Sequence, residues 1–252
     1  MIDIHAHILP GVDDGPAEWD KSLKMLRRAA EDGITGIVAT PHVVPGGYEN
    51  TGEKVLSLTE ELRERCRDAE IEIYPGSELM VSNDTLRGLE KKKYLTINSS
   101  RYVLVELPGQ FVTDSVYDFI YSLGARKLVP VIAHPERNPK LQEELDLLGE
   151  MVRHGALVQV TAGSLTGAFG SVVKKTVSEI LTRNLCHVIA SDAHNNGRRA
   201  PVLSHGLVEA GRIVGERAAL AMVRDTPRMI IGDEAIEAPE PAGARKKRFI
   251  FF

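Results

Sequence analysis

Short apolar runs alternate along this chain with longer stretches of helical period, and that alternation limits the fold more than any other feature. Runs at 2–5, 36–40, 71–75, 102–106, 128–133, 157–161 and 187–191 read as seven strands, each nearly continuous in apolar residues. Helical spacing fills the intervals. Trp19, Leu23, Leu26 and Ala30 form one face, stopped by Gly33; Val55, Leu58, Leu62, Cys66 and Ala69 form a second. Asp114 reads as the cap of a third helix, with Phe119, Ile120 and Leu123 before Gly124. Asn138 and Pro139 read as cap and first residue of a fourth, with Leu141, Leu145, Leu148 and Val152 on one face. Ser171 reads as the cap of a fifth, carrying Val173, Val177, Ile180 and Leu181; a last helix spans 216–224, and Thr226-Pro227 starts a further turn. Repeated βα units predict an α/β protein with a parallel sheet covered by helices, and seven of them predict closure into a TIM-like barrel.

The chain has 252 residues, enough to bury a large core without disulfides. No internal linker divides it, so one barrel domain is expected over 1–236. A Pro/Ala/Glu-rich connector and a basic, then aromatic, tail occupy 237–252. With 31 basic and 35 acidic residues the net charge is -4, which offers no global field for nucleic acid. Cys66 and Cys186 form no CxxC pair and read as small buried hydrophobes. No signal-peptide pattern opens the sequence and no run approaches a membrane span, so a cytoplasmic, soluble protein is expected.

Metal-ligating side chains gather at the strand ends. His5 and His7 close the first strand, and alternation would set Asp3, His5 and His7 on one face. His42 follows the second strand, Glu78 the third; Glu106 ends the fourth, His134 the fifth, and Asp192 and His194 the last. Six of seven strands thus deliver His, Asp or Glu to the C-terminal rim, where parallel barrels carry their chemistry. Imidazole mixed with carboxylate and no thiolate suits Mn, Fe or Zn in a catalytic setting. So many donors exceed what one ion needs, so two or three divalent ions are expected.

Asp13-Asp14-Gly15 offers either a ligand or a turn and helix cap. Arg137 and Arg199 lie beside the cluster and suit phosphate recognition by their planar forks. His154 reads as a helix-end residue, His205 as surface and His187 as packing.

Six motifs together carry a resemblance. Asp-x-His-x-His at 3–7, Val-Asp-Asp-Gly-Pro at 12–16, Thr-Pro-His at 40–42, Gly-Ser-Glu at 76–78, Ala-His-x-Glu-Arg at 133–137 and Val-Ile-Ala-Ser-Asp-x-His-Asn at 188–195 are similar to the polymerase and histidinol phosphatase (PHP) superfamily. More closely, they resemble its bacterial protein-tyrosine phosphatases of capsule and exopolysaccharide operons. The resemblance implies a distorted (β/α)7 barrel and up to three ions, commonly manganese. It places His5, His7, Glu78 and Asp192 on the first, a bridging Glu78 with Glu106 and His134 on the second, and Asp14, His42 and His194 on the third. It places phosphate-binding arginines at Arg137 and Arg199, although the Arg199-Ala200-Pro201 wording departs from the family and leaves Arg198 as an alternative. His42 is also a candidate proton donor. The implied activity is metal-dependent hydrolysis of phosphotyrosine in proteins, with the tail of a capsule-controlling tyrosine kinase as partner. Contact with a membrane surface through that kinase or the basic tail is a further expectation. Histidinol phosphate or another small phosphoester is the alternative substrate, and a metal-stabilised binding module without turnover is the alternative from outside enzymes. Neither Cys66 nor Cys186 has an arginine six residues on, which excludes the thiolate route to tyrosine dephosphorylation.

Overall fold

The computed structural model describes residues 1–67, 69–109, 112–237 and 241–242. Its strands are β1 (Ile2–Ala6), β2 (Gly36–Ala39), β3 (His42–Val43), β4 (Glu72–Pro75), β5 (Glu78–Met80), β6 (Tyr102–Glu106), β7 (Val129–Ala133), β8 (Leu157–Thr161) and β9 (Val188–Ala190). The helices are α1 (Trp19–Glu31), α2 (Gly52–Arg65), α3 (Asn83–Glu90), α4 (Asp114–Ala125), α5 (Pro139–Glu143), α6 (Asp146–Arg153), α7 (Ala162–Thr166), α8 (Ser171–Thr182), α9 (Ser204–Val214), α10 (Glu216–Val223) and α11 (Asp225–Ile231).

Every strand pairing is parallel, in two sheets of order β1-β2-β4 and β3-β5-β6-β7-β8-β9. The sheets join at both seams. At one, β2 bends at Thr40-Pro41 into β3, and β4 bends at Gly76-Ser77 into β5. At the other, a parallel bridge links Ala6 to Ala193, and the Asp192 amide donates to the His5 carbonyl at 2.9 Å. The seven expected strands are therefore present, two of them broken at the level of the site. The breaks add β3 and β5, which two and three residues make too short for a sequence pattern to reveal.

Ile2, Ile4, Val38, Leu104, Val131, Leu157, Val188 and Ala190 meet in one cluster, joined by Ile97 and Ile230. A larger cluster lies between the strands and the helices. Burial on both faces explains the continuous apolar strands. Helix ends follow local chemistry. Ser82 and Thr85 form a reciprocal capping box on α3, and the Asn138 side chain accepts from the amides of Lys140 and Leu141 at the start of α5.

Several expectations need correction. The fourth predicted helix is two, because Glu144 takes a non-helical conformation between α5 and α6 while the apolar spacing carries across the break. Thr113, not Asp114, occupies the cap position of α4, and Gly170, not Ser171, that of α8. His205 is exposed as expected, but it lies in the first turn of a helix, α9, that the sequence pattern does not predict. Cys186 is buried but Cys66 only half-buried. Most of the 237–252 connector and tail lies outside the described residues. Among the described residues no helix is long and apolar enough to cross a membrane.

Candidate metal centre

The nine predicted donors converge at the C-terminal ends of the strands. The β1–β2 register is irregular between Asp3 and Ala6, and this local slip re-aims the end of β1. Ile4 stays in the interior cluster while His5 and His7 reach the site. Strict alternation therefore fails here. Asp3 is not among the grouped donors; its carboxylate accepts from the Ser191 amide and hydroxyl at 3.0 and 2.5 Å, tying the end of β1 to the end of β9. His134 and Asp192 follow β7 and β9 with φ of 34° and 51°, in the left-handed region. Such backbone costs about 1–3 kcal/mol per residue and gathers at functional sites.

Four side-chain atoms form the centre of the cluster. His5 Nε2 lies 3.3 Å from Glu78 Oε2 and 3.4 Å from Asp192 Oδ1. His7 Nε2 lies 3.2 and 3.5 Å from the same two oxygens, and the two Nε2 atoms are 3.2 Å apart. A tetrahedral ion with bonds of about 2.0–2.1 Å spaces its ligands about 3.3–3.4 Å apart. These five spacings are those of ligands that share one ion.

Two further side chains pin the imidazoles. His5 Nδ1 pairs with Gln159 Oε1 at 2.8 Å, and His7 Nδ1 with Asp13 Oδ2 at 2.7 Å. A proton on each Nδ1 leaves both Nε2 lone pairs facing inward, the arrangement second-shell partners impose on metal-binding histidines. Sequence reading missed Gln159. It sits on β8, the one strand that delivers no His, Asp or Glu, and its signal is a lone amide within Leu-Val-Gln-Val-Thr. The Asp13–Asp14 pair also divides. Asp13 orients His7 and accepts from the His42 amide at 3.0 Å, whereas Asp14 Oδ1 lies 3.1 Å from His194 Nε2 and 3.6 Å from His42 Nε2. Asp14 does not cap α1, whose cap position is Glu18.

Glu78 lies at the middle. Its Oε1 is 2.9 Å from His134 Nε2, and Glu106 Oε1 is 3.8 Å from the same nitrogen. Its Oε2 is 2.9 Å from His42 Nδ1, with Glu106 Oε2 3.9 Å from that nitrogen. Yet Glu78 Oε2, His42 Nδ1 and His194 Nε2 are buried without a hydrogen-bond partner among the described residues. Buried polar atoms aimed at one another and unsatisfied fit a shared divalent cation. The donors fall into overlapping groups: His7, Asp14, His42 and His194; His5, His7 and Glu78; His5, His134 and Asp192; His42, Glu78 and Glu106.

Electrostatics point the same way. Burial alone would raise the Glu78 and Asp192 carboxyls, but the field of His5 and the contacts to neighbouring imidazoles hold both well below the usual range. Burial opposes charge on His5 and His7, but the surrounding carboxylates overcome it and raise both. A field that favours positive charge on imidazoles also favours a metal cation. Burial, with Arg137 behind it, pushes His134 down to about 4, and burial with His7 pushes His194 down to about 3, so both present neutral ligand nitrogens.

Arg137 and Arg199 both reach Asp192 Oδ2, at 2.5 and 2.7 Å. Arg198 turns away and donates to the Ala168 carbonyl at 2.7 Å. The remaining histidines lie elsewhere: His154 ends α6, and buried His187 accepts from the Val158 amide at 3.1 Å through Nδ1.

The family described as "Capsular polysaccharide synthesis, CpsB/CapC" matches residues 1–232. The chain belongs to the CpsB/CapC family. It is 34% identical to the tyrosine-protein phosphatase YwqE of Bacillus subtilis over 254 residues, covering all of both chains. It is 31% identical to the tyrosine-protein phosphatase CpsB of Streptococcus pneumoniae, over 94% of this chain and 100% of that one. A crystal structure from a study of YwqE and CpsB, described as metal-dependent tyrosine phosphatases, superposes with a TM-score of 0.91 at 34% identity, covering 96% of this chain and 98% of that one. Dihydroorotase from Campylobacter jejuni shares only the fold, at 14% identity and a TM-score of 0.53.

Proposed function

We propose that this CpsB/CapC chain is a metal-dependent phosphatase that removes phosphate from tyrosine in proteins of capsule or exopolysaccharide synthesis. The observation that carries the reading is the His5, His7, Glu78 and Asp192 quartet with two guanidiniums on its free carboxylate oxygen. Full-length similarity to phosphatases named for tyrosine supports the substrate class. The catalytic unit is residues 1–236. The site works in the cytoplasm on the phosphorylated tail of a bacterial tyrosine kinase, which brings it near the membrane surface. Manganese is the ion we assign, as the family resemblance implies; the imidazole–carboxylate set without thiolate suits Mn, Fe or Zn.

His5, His7, Glu78 and Asp192 would hold one ion, Glu78 with Glu106 and His134 a second, and Asp14, His42 and His194 a third. When bound, such ions supply Lewis-acid stabilisation of phosphoryl oxygens and make water a usable nucleophile near neutral pH. The chain does the rest. Arg137 and Arg199 keep one N–H each on Asp192 Oδ2 and present the others to the phosphoryl group, offsetting charge in a loose transition state. His42 has both ring nitrogens beside carboxylates, so we assign it to ion holding rather than proton delivery. Tyrosinate, with a parent pKa of about 10, leaves without strong acid help.

The test compares a phosphotyrosyl peptide with histidinol phosphate on the metal-loaded chain. The proposal expects the higher kcat/KM for the peptide. A higher value for histidinol phosphate would replace it with a small-molecule phosphatase.

A further inference from the structure

A groove of about 270 Å³ opens beside the metal centre and shares Ser191 and Arg199 with it. Its ionisable lining is Arg28, Arg198, Arg199 and His205, and among the described residues no aspartate or glutamate lines it. In a chain of net charge -4 that separation needs a reason. The guanidiniums come from two separate places, α1 and the loop after β9, and the first turn of α9 adds the His205 imidazole. Of the nearby acids, Glu31 pairs at 3.4 Å with Arg28 itself and offsets part of its charge, whereas Asp32 is turned to the Leu203 and Ser204 amides at 2.7 and 3.0 Å. Arg198 is held by a backbone carbonyl, which fixes the guanidinium without neutralising it. Phe169 forms one wall and also lies against the Arg137 guanidinium, 5.1 Å from ring centre to carbon.

The groove therefore contains one of the arginines assigned to phosphate, Arg199, and adjoins the other, Arg137, across the Phe169 ring. A peptide whose phosphotyrosine meets Arg137 and Arg199 carries its next residues about 3.3 Å further along per residue, over this lining. We propose that the groove is a second anion subsite, which receives an acidic side chain adjacent to the phosphotyrosine. The inference rests on the phosphotyrosine-phosphatase reading above and extends it to the substrate sequence. The anion is a carboxylate of aspartate or glutamate, or the phosphate of a second phosphotyrosine; both offer the oxygens a guanidinium fork grips.

The metal-loaded full chain is assayed on phosphotyrosyl peptides with Glu, Gln or a second phosphotyrosine beside the target, on either side, and on p-nitrophenyl phosphate. Binding of matching peptides bearing a non-hydrolysable phosphonate gives a readout apart from turnover. The acidic peptides should exceed the Gln peptide roughly fivefold in kcat/KM and in affinity, the scale of one or two solvent-screened charged contacts. The stronger of the two acidic peptides identifies the preferred anion. Arg198→Gln and Arg28→Gln together should bring the ratio near unity through KM, with p-nitrophenyl phosphate turnover unchanged. Equal values for the Glu, Gln and second-phosphotyrosine peptides in the wild type would overturn the subsite alone. So would a preference that survives the double substitution, or a loss of p-nitrophenyl phosphate turnover in it. Cleavage of histidinol phosphate but of no phosphotyrosyl peptide would overturn the phosphatase reading and the subsite together.

Discussion

Asp192 joins the two halves of the candidate site within one carboxylate. Its Oδ1 faces His5 and His7, and its Oδ2 receives Arg137 and Arg199. In the proposed mechanism a single left-handed residue would thereby couple ion holding to phosphate holding. The two roles separate on mutation. Arg137→Ala should leave the ion content unchanged and lower kcat for a phosphotyrosyl peptide by about 10²–10³, the usual cost of losing one preorganised donor to developing charge. Loss of ions in the same variant would make Arg137 a structural residue instead. Gln159 acts one step further out, through His5 Nδ1. Gln159→Leu keeps the volume but frees the ring, and should weaken ion affinity about 10–100-fold in a chelator competition. Unchanged affinity would show that the amide does not orient the ligand.

Among the elements, β8 and β9 depend on an imidazole as much as on their ladder. The His187 amide donates to the Val158 carbonyl at 3.0 Å, and its Nδ1 accepts from the Val158 amide at 3.1 Å. Burial pushes His187 from 6.5 down to about 4. The folded chain then binds this proton less readily than the unfolded one. Its contribution is complete above the unfolded value of 6.5 and is lost as pH falls toward about 4, by about 3 kcal/mol. His187→Asn keeps an acceptor for Val158 and removes the titration. Urea denaturation of the ion-free protein should show a shallower loss of stability across that window in the variant; the same slope in both would assign the acid limb to other groups. Element types were legible where a long periodic pattern met a cap, as at Asn138 and α5. Three helices were not. α3 carries few apolar positions, α7 has only five residues, and α9 contains Gly206, where an added Cβ would lie 2.8 Å from the Ala162 backbone. α9 meets α7 closely enough to need a poor helix former there, so packing overrides propensity.

Across the whole molecule, nine donors spread from His5 to His194 meet at the C-terminal ends of two parallel sheets. That much was readable because strand ends in parallel α/β folds share a rim. What was not readable depends on contacts distant in sequence. Asp13 and Asp14 are adjacent and chemically alike, and only the positions of His7 and His194 give them different tasks. Arg198 and Arg199 divide in the same way, one turned to Ala168 and the other to Asp192. We propose that Glu78 joins neighbouring ion sites, and the number of divalent ions retained per chain by the wild type and by Glu78→Gln after gel filtration tests that role. Two or three are expected in the folded wild type, and fewer than two in an equally folded variant that no longer cleaves phosphotyrosyl peptide. A wild type that holds none and still turns over, or a variant that keeps its full complement, would contradict it.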